Sequence, residues 1–283
     1  MNIQCNSHFN SQMNHFKVEI YNSGYALLEK DWHAEDNASS MSRLYFVKSG
    51  EGKIISGDQV FLIRPGVAYF IPAGITWYWT SSTEIRKFFV DFNLFKPNGE
   101  NLFIGLSSML EIPFSLEKIE EMAEWYLSDK TENWFYLKST LYETFAEILR
   151  RSNLETTTVS YHPIVLDTIK YIQKNLSLNI TLQTLADRSF VSKTFLSSQF
   201  KKEIGMSVGR YIDYQVLLRS RIELEQQKLS IAEISNKYGF CDQFYFSRFF
   251  KKHVGESPSQ YRSHFSSSPY YVNASETKHL SDR

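Results

Sequence analysis

One feature constrains this chain above all others: part of it is written twice. Phe200-Lys201-Lys202 returns as Phe250-Lys251-Lys252, Gly205 as Gly255, Ser207 as Ser257 and Tyr211 as Tyr261, all at an offset of 50 residues. Leu196 and Ser197 meet Phe246 and Ser247 at the same offset. Chance matches any one such pair; it does not match all of them in register. A repeat of this length is one supersecondary unit used twice, and it commits the C-terminal half to two copies of a single motif.

Each copy reads as helix, short turn, helix. In the first, TLQTLADR leads through SFV into Ser192 and KTFLSSQFKK; in the second, SIAEISNK leads through YGFC into Asp242 and QFYFSRFFKK. Ser230 with Glu233 makes a capping-box pattern, and Ser192 and Asp242 are good N-cap residues. Gly205 and Gly255 fall just past the second helices, where a left-handed C-terminal cap favours glycine.

The stretch YGFCDQFYFSRFF (238–250) carries seven aromatics in thirteen residues. Winding residues 242–252 at about 100° per residue gathers Phe246, Phe249 and Phe250 on one side. Gln243, Phe244, Ser247, Arg248 and Lys251 take the opposite arc. The same winding turns Leu196 and Phe200 inward and leaves Lys193, Thr194, Ser197, Ser198 and Lys201 outward. Most of the aromatics are therefore core, with Phe244 the exception. The outward face has the chemistry of a major-groove reader: Arg248 suits guanine, Gln243 adenine, Phe244 a thymine methyl, and the short hydroxyls permit close approach. Lys201, Lys202, Lys251 and Lys252 lie about a turn further on, within reach of phosphates. A solvated surface explains one such helix. Two in equivalent registers point to double-stranded DNA.

Charge agrees. The chain of 283 residues has zero formal net charge. Residues 1–160 nevertheless hold 14 basic against 20 acidic side chains, and residues 161–265 hold 15 against 9. An acidic half is joined to a basic one, as a polyanion partner for the second half requires. Cys5 and Cys241 are far apart, which indicates neither a disulfide framework nor a zinc cluster. The seven histidines form no HxH or HExxH pair, so no metal and no cofactor are expected. No apolar run approaches the roughly 20 residues of a membrane span, and the N-terminus does not read as a signal peptide, so the expectation is a cytoplasmic protein with no membrane partner.

The first hundred residues are of another kind. RLYFVKSGEGKIISGDQVFLI, VAYFIPAGITWYW and IRKFFVDFNLF are β-branched and aromatic runs broken by glycines, as in a small sandwich or barrel. Near Phe114 the texture changes to two amphipathic helices, with Phe135, Leu137, Leu141, Phe145, Ile148 and Leu149 at three- and four-residue spacing. The barrel or a second copy of the chain could cover them. The organisation expected is α+β: a β-barrel over 1–113, helices over 114–151, a polar linker over 152–162, an all-α domain of two helix-turn-helix units over 163–265, and a Ser-rich flexible tail over 266–283.

The segment from ADRSFVSKTFLSSQFKKEIG to YGFCDQFYFSRFFKKHVGESPSQYR resembles the DNA-binding domain of AraC-family (AraC/XylS) transcriptional regulators. The resemblance spans about 100 residues and implies two helix-turn-helix units held apart by a long central helix over roughly 208–226, with both recognition helices in successive major grooves. It implies base contacts at Thr194, Ser197 and Ser198 in the first unit and at Gln243, Phe244, Ser247 and Arg248 in the second. This chain departs from the family in carrying Phe190 where glycine is common and Val216 where a basic residue is common. The first unit's small hydroxyls imply weaker sequence reading than the second's.

YFVKSGEGKII and DQVFLIRPGVAYFIPAGITW are similar to the cupin-like sensor barrel that many such regulators carry. Trp77 and Trp79 alternate onto one face of a strand, and with Lys48 they are the candidate ligand contacts for a small-molecule effector such as a sugar. Trp32, Arg43 and Tyr45 are further candidates, and the alternative is that the tryptophans simply fill the core. The two helices resemble the family's dimerisation element, so a homodimer is expected. The function expected is transcriptional regulation, by family habit activation through contact with RNA polymerase. A cupin enzyme fused to a DNA-binding domain is the alternative, disfavoured because no metal-ligand set is present.

Overall fold

The computed structural model describes residues 16–154 and 161–265. The central part of the expected linker and the whole of the expected tail lie outside the described residues. The chain divides into two compact units, Met1–Ser160 and Tyr161–Arg283.

The N-terminal unit is a pair of antiparallel sheets backed by helices. Its strands are β1 (Lys17–Leu28), β2 (His33–Asn37), β3 (Ser42–Ser49), β4 (Gly52–Ser56), β5 (Gln59–Ile63), β6 (Val67–Ile71), β7 (Thr76–Ser81), β8 (Ile85–Phe95) and β9 (Leu110–Pro113). One sheet has the order β1-β8-β3-β6-β9 and the other β2-β7-β4-β5. Two helices follow, α1 (Leu116–Tyr126) and α2 (Thr131–Ser152).

Strand register divides the larger sheet into two chemically distinct faces. Leu44 lies opposite Val90 and Phe46 opposite Phe88 on the face turned toward the helices. Residues directly opposite across a ladder share a face, so Arg43 with Asp91, Tyr45 with Phe89, and Val47 with Lys87 take the other one. The helix side is the apolar core, where Ile119, Met122, Leu137, Leu141, Phe145 and Ile148 pack on the sheet and Phe92 stacks on Phe145 with centroids 4.6 Å apart. The other side, which meets β7, holds the charges.

The C-terminal unit is helical throughout its described residues: α3 (Pro163–Lys174), α4 (Leu182–Arg188), α5 (Lys193–Ile204), α6 (Val208–Gln226), α7 (Ile231–Lys237), α8 (Gln243–Val254) and α9 (Pro258–Ser263). Its caps are those the sequence calls for. Ser230 and Glu233 close a reciprocal capping box on α7. Gly205 and Gly255 end α5 and α8 at φ 81° and 98°. One core, including Leu185, Leu196, Phe200, Val216, Ile234, Phe246 and Phe250, joins both repeats around α6. The apolar Val216, fully buried on α6, belongs to that core.

The repeat is not uniform. The second helices, α5 and α8, are offset by 50 residues, but the first, α4 and α7, by 49. The second turn therefore has one residue more than the first.

Candidate nucleic-acid interface and a buried polar cluster

The two second helices expose the same positions in the same order. Leu196 and Phe200 are fully buried, as are Phe246 and Phe250, and these side chains fix each helix's rotation on the core. Lys193, Thr194, Ser198 and Lys201 are then exposed with Ser197 half-buried; Gln243, Phe244, Arg248 and Lys251 are exposed with Ser247 half-buried. From Ser192 to Lys202 and from Asp242 to Lys252 the pattern is identical position by position.

Local hydrogen bonds set the leading ends. Ser192 Oγ accepts from the Phe195 N–H at 3.2 Å, and Asp242 Oδ1 accepts from the Tyr245 N–H at 2.6 Å. That backbone donor, with smaller help from Cys241 and Arg248, holds the Asp242 carboxyl below the usual carboxylate range against a weaker opposing effect of burial. Ser247 Oγ donates to the Gln243 carbonyl at 2.8 Å, and the Arg248 guanidinium lies 5.9 Å from the Tyr245 ring centroid.

Phe244 is 67% exposed. Tyr245 is exposed as well, so Phe244 is not the one aromatic of α8 outside the core. The first turn of a helix has no preceding turn to cover it, and two consecutive rings there reach solvent together. Phe195 is the exposed counterpart on α5.

The N-terminal candidates behave differently. Trp77 and Trp79 are both buried and both set an edge against Tyr45, at centroid separations of 6.2 and 5.3 Å. Trp32 meets the Trp79 ring edge-on at 6.2 Å. Lys48 does not join them. It shares the phase of Leu44 and Phe46, which turns it to the helix side of the sheet, and its Nζ lies 3.2 Å from Glu120 Oε1 on α1. A one-residue difference in phase decides the face.

The cations beside the tryptophans are Lys87 and Arg43. Lys87 Nζ sits 3.5 Å from the Tyr45 ring centroid and 4.1 Å from that of Trp79. The Arg43 guanidinium lies 5.5 Å from Trp77, and its Nε is 3.1 Å from Asp91 Oδ1. Arg43, Lys87 and Asp91 are 2%, 0% and 1% exposed. Burial pushes the Lys87 amine well below its ordinary range; neighbouring Arg43 pushes the same way and Asp91 opposes. Sequence periodicity alone does not single out Lys87 and Asp91, although two charges four positions apart in IRKFFVDFNLF, on one face of the strand, signal that this face is not ordinary core. Among the described residues no group of three or more His, Cys, Asp or Glu side chains could hold a metal ion, and no helix is long and apolar enough to cross a membrane.

Residues 185–264 match a helix-turn-helix domain family. The chain is similar to the Msm operon regulatory protein of Streptococcus mutans, with 24% identity over 266 residues that cover 88% of this chain and 94% of that protein. It is similar to the arabinose operon regulatory protein of Escherichia coli, with 24% identity over 226 residues covering 75% and 77%. Over 99 residues it is 33% identical to the HTH-type transcriptional activator AarP of Providencia stuartii, covering 35% of this chain and 73% of that protein.

Proposed function

The chain belongs to the AraC family of DNA-binding transcriptional regulators, and from that premise we propose that α5 and α8 read two successive major grooves of promoter DNA under the control of a small effector held by the N-terminal unit. One observation carries the DNA reading: the two helices bury equivalent residues and expose equivalent residues, so each presents a polar face of matched register. Gln243, Phe244, Ser247 and Arg248 are the base contacts of the second unit; Thr194, Ser197 and Ser198 are those of the first. Lys193, Lys201 and Lys251 meet phosphates. Site selection from random duplexes, followed by binding titrations against single-base changes, tests this. A protein that binds all duplexes alike would sink it.

The effector reading rests on the buried cluster of Arg43, Tyr45, Trp77, Trp79, Lys87 and Asp91. Burying three ionisable groups is costly, and such clusters gather at functional sites more often than chance places them. The similarity to a regulator of the arabinose operon favours a sugar or sugar derivative.

A homodimer through α2 completes the proposal. Leu137, Leu141, Phe145 and Ile148 go to the sheet, yet Phe135 and Tyr142 remain 68% and 42% exposed. With exposed Ser139 and Ala146 they form a stripe of alternating large and small residues at spacings of four, three and four. A second copy laid antiparallel seats Phe135 on its Ala146 and Tyr142 on its Ser139, the self-complementarity that a two-fold axis demands. The dimer then addresses paired half-sites. Activation through RNA polymerase is the regulatory output, in line with the activator AarP.

A further inference from the structure

We infer that the N-terminal unit holds a further binding site, on the helix side of its larger sheet, for a small apolar molecule bearing one carboxylate, and that Lys138 of α2 receives the charge. The site stands apart from the buried cluster and does not rest on it: Phe88 and Val90 of β8 line the cavity, whereas Lys87 and Asp91 of the same strand take the opposite face.

The first argument is space that the chain leaves open. A cavity of about 360 Å³ lies between β1, β8 and α2, within the range of small-molecule pockets, roughly 300–1,000 Å³. A bulge in the edge strand accounts for it. The register of β1 on β8 shifts between Ile20 and Asn22, so that Ser23, and not Asn22, comes opposite Val90 on the helix side. Val18 and Ile20 share that side, and the small Ser23 follows them where a larger side chain would fill the gap. Tyr126 closes one end, its hydroxyl donating to the Ser23 carbonyl at 2.8 Å.

The second is what the walls can recognise. Phe88, Val90, Leu141 and Phe145 supply apolar surface, and Trp134 and Tyr142 supply aromatic sides. Ile20 and Trp134 are each 51% exposed, so a ligand that covers them gains by removing apolar area from water. A polyhydroxy molecule would leave most of its hydroxyls without partners here, because the Tyr126 hydroxyl is already committed to Ser23. Hydrocarbon or an aryl ring suits these walls.

The third is a cation without a carboxylate. Lys138 lines the cavity and is exposed. Its neighbours one turn away along α2 are Trp134, Phe135, Leu141 and Tyr142, none of them acidic. Among the described residues no carboxylate pairs with it, and its Nζ lies 6.0 Å from the Tyr142 ring centroid. Lys48 and Lys118, by contrast, pair with Glu120 and Glu121 of α1. One ammonium beside an apolar cavity selects one carboxylate at the end of an apolar body, through a charge-assisted hydrogen bond. The second charge of a phosphate would go unmatched.

The test uses the full chain with 3-phenylpropionate and octanoate as probes, 3-phenylpropanol and octanol as their neutral counterparts, and acetate as a carboxylate without an apolar body, followed by calorimetry and tryptophan fluorescence. At least one of the two longer acids should bind about tenfold or more tightly than its alcohol, the gain of one charge-assisted bond, and about tenfold or more tightly than acetate. Either acid supports the inference, and the one that binds better tells an aryl body from an alkyl one. Lys138→Met should bring acid and alcohol to equal affinity, and Ser23→Leu, which fills the cavity, should abolish the binding of both. Should Ser23→Leu fail to fold, Val18→Phe fills the same space and carries the test. An acid preference that survives Lys138→Met, or binding that survives the filled cavity, overturns the inference. Equal affinity of acid and alcohol in the unchanged chain overturns it too, as does silence from every probe. Acetate that matches the longer acids places the binding on exposed basic surface, and affinity that falls as the chain concentration rises assigns the cavity to a second copy; either result overturns the inference.

Discussion

Phe190 and Gly239 occupy the same point of the two helix-turn-helix turns. Each donates its N–H to a carbonyl three residues back, Asp187 and Asn236, and each is left-handed, at φ 53° and 77°. Glycine adopts that conformation freely, and phenylalanine does not. At Gly239 a Cβ would also collide with Ser177 Oγ and come within 2.8 Å of Asn179 Nδ2. Phe190 is 96% exposed, so its ring recovers little by packing. Phe190→Gly should therefore stabilise the C-terminal unit by about 1 kcal/mol, the left-handed cost less the glycine's added freedom when unfolded. Urea unfolding of the two proteins measures it, and a loss of stability would show that the ring holds a contact.

The second unit should dominate specificity. Arg248→Ala is expected to cost about 1–3 kcal/mol, mainly at one base pair, with Gln243→Ala behaving alike at another. Lys251→Ala should weaken binding to every duplex and lower the salt slope by about one. Fluorescence anisotropy at several salt concentrations separates the two behaviours.

On the exposed stripe of α2, Tyr142→Arg sets like charges near the proposed two-fold axis, and Ala146→Phe fills the space meant for Phe135. Either should convert a dimer into monomers, read by sedimentation, with circular dichroism checking that the fold is retained. A dimer that survives both changes places the contact elsewhere.

Lys87 gives a pH dependence whose sign follows from burial. With its folded pKa lowered well below the unfolded value, the unfolded chain holds a proton that the folded chain lacks between the two values. Stability of the N-terminal unit is then greatest above the unfolded pKa, about 10.4, and is lost as pH falls toward the folded one, at no more than about 1.4 kcal/mol per pH unit. Arg43 acts in the same direction and Asp91 against it. Lys87→Met should flatten the profile over that range. Denaturant titrations from neutral to alkaline pH test it.

How far the residues announced all this depends on the element. In the C-terminal half, helical periodicity and a duplicated register determine which side chains turn inward, because a helix face follows from spacing alone; Leu196, Phe200, Phe246 and Phe250 were readable there. The single residue by which the two turns differ was also on the page, in SFV against YGFC. The sheets were harder. A strand alternates with period two, so the identity of its faces depends on register with its neighbours, which no single strand reveals. Composition places Lys48 beside Trp77 and Trp79, whereas its phase carries it to α1 and leaves the place to Lys87, a residue nearly forty positions on.

β8 borders two unlike chambers. Its residues Lys87, Phe89 and Asp91 look toward the buried charges, and Phe88, Val90 and Phe92 look toward the layer on which α2 rests. Such a strand is a party wall. Close packing on both sides leaves no slack to absorb a displacement, so whatever shoulders its way in among the charges must be felt by the helix beyond, without any dedicated relay between them.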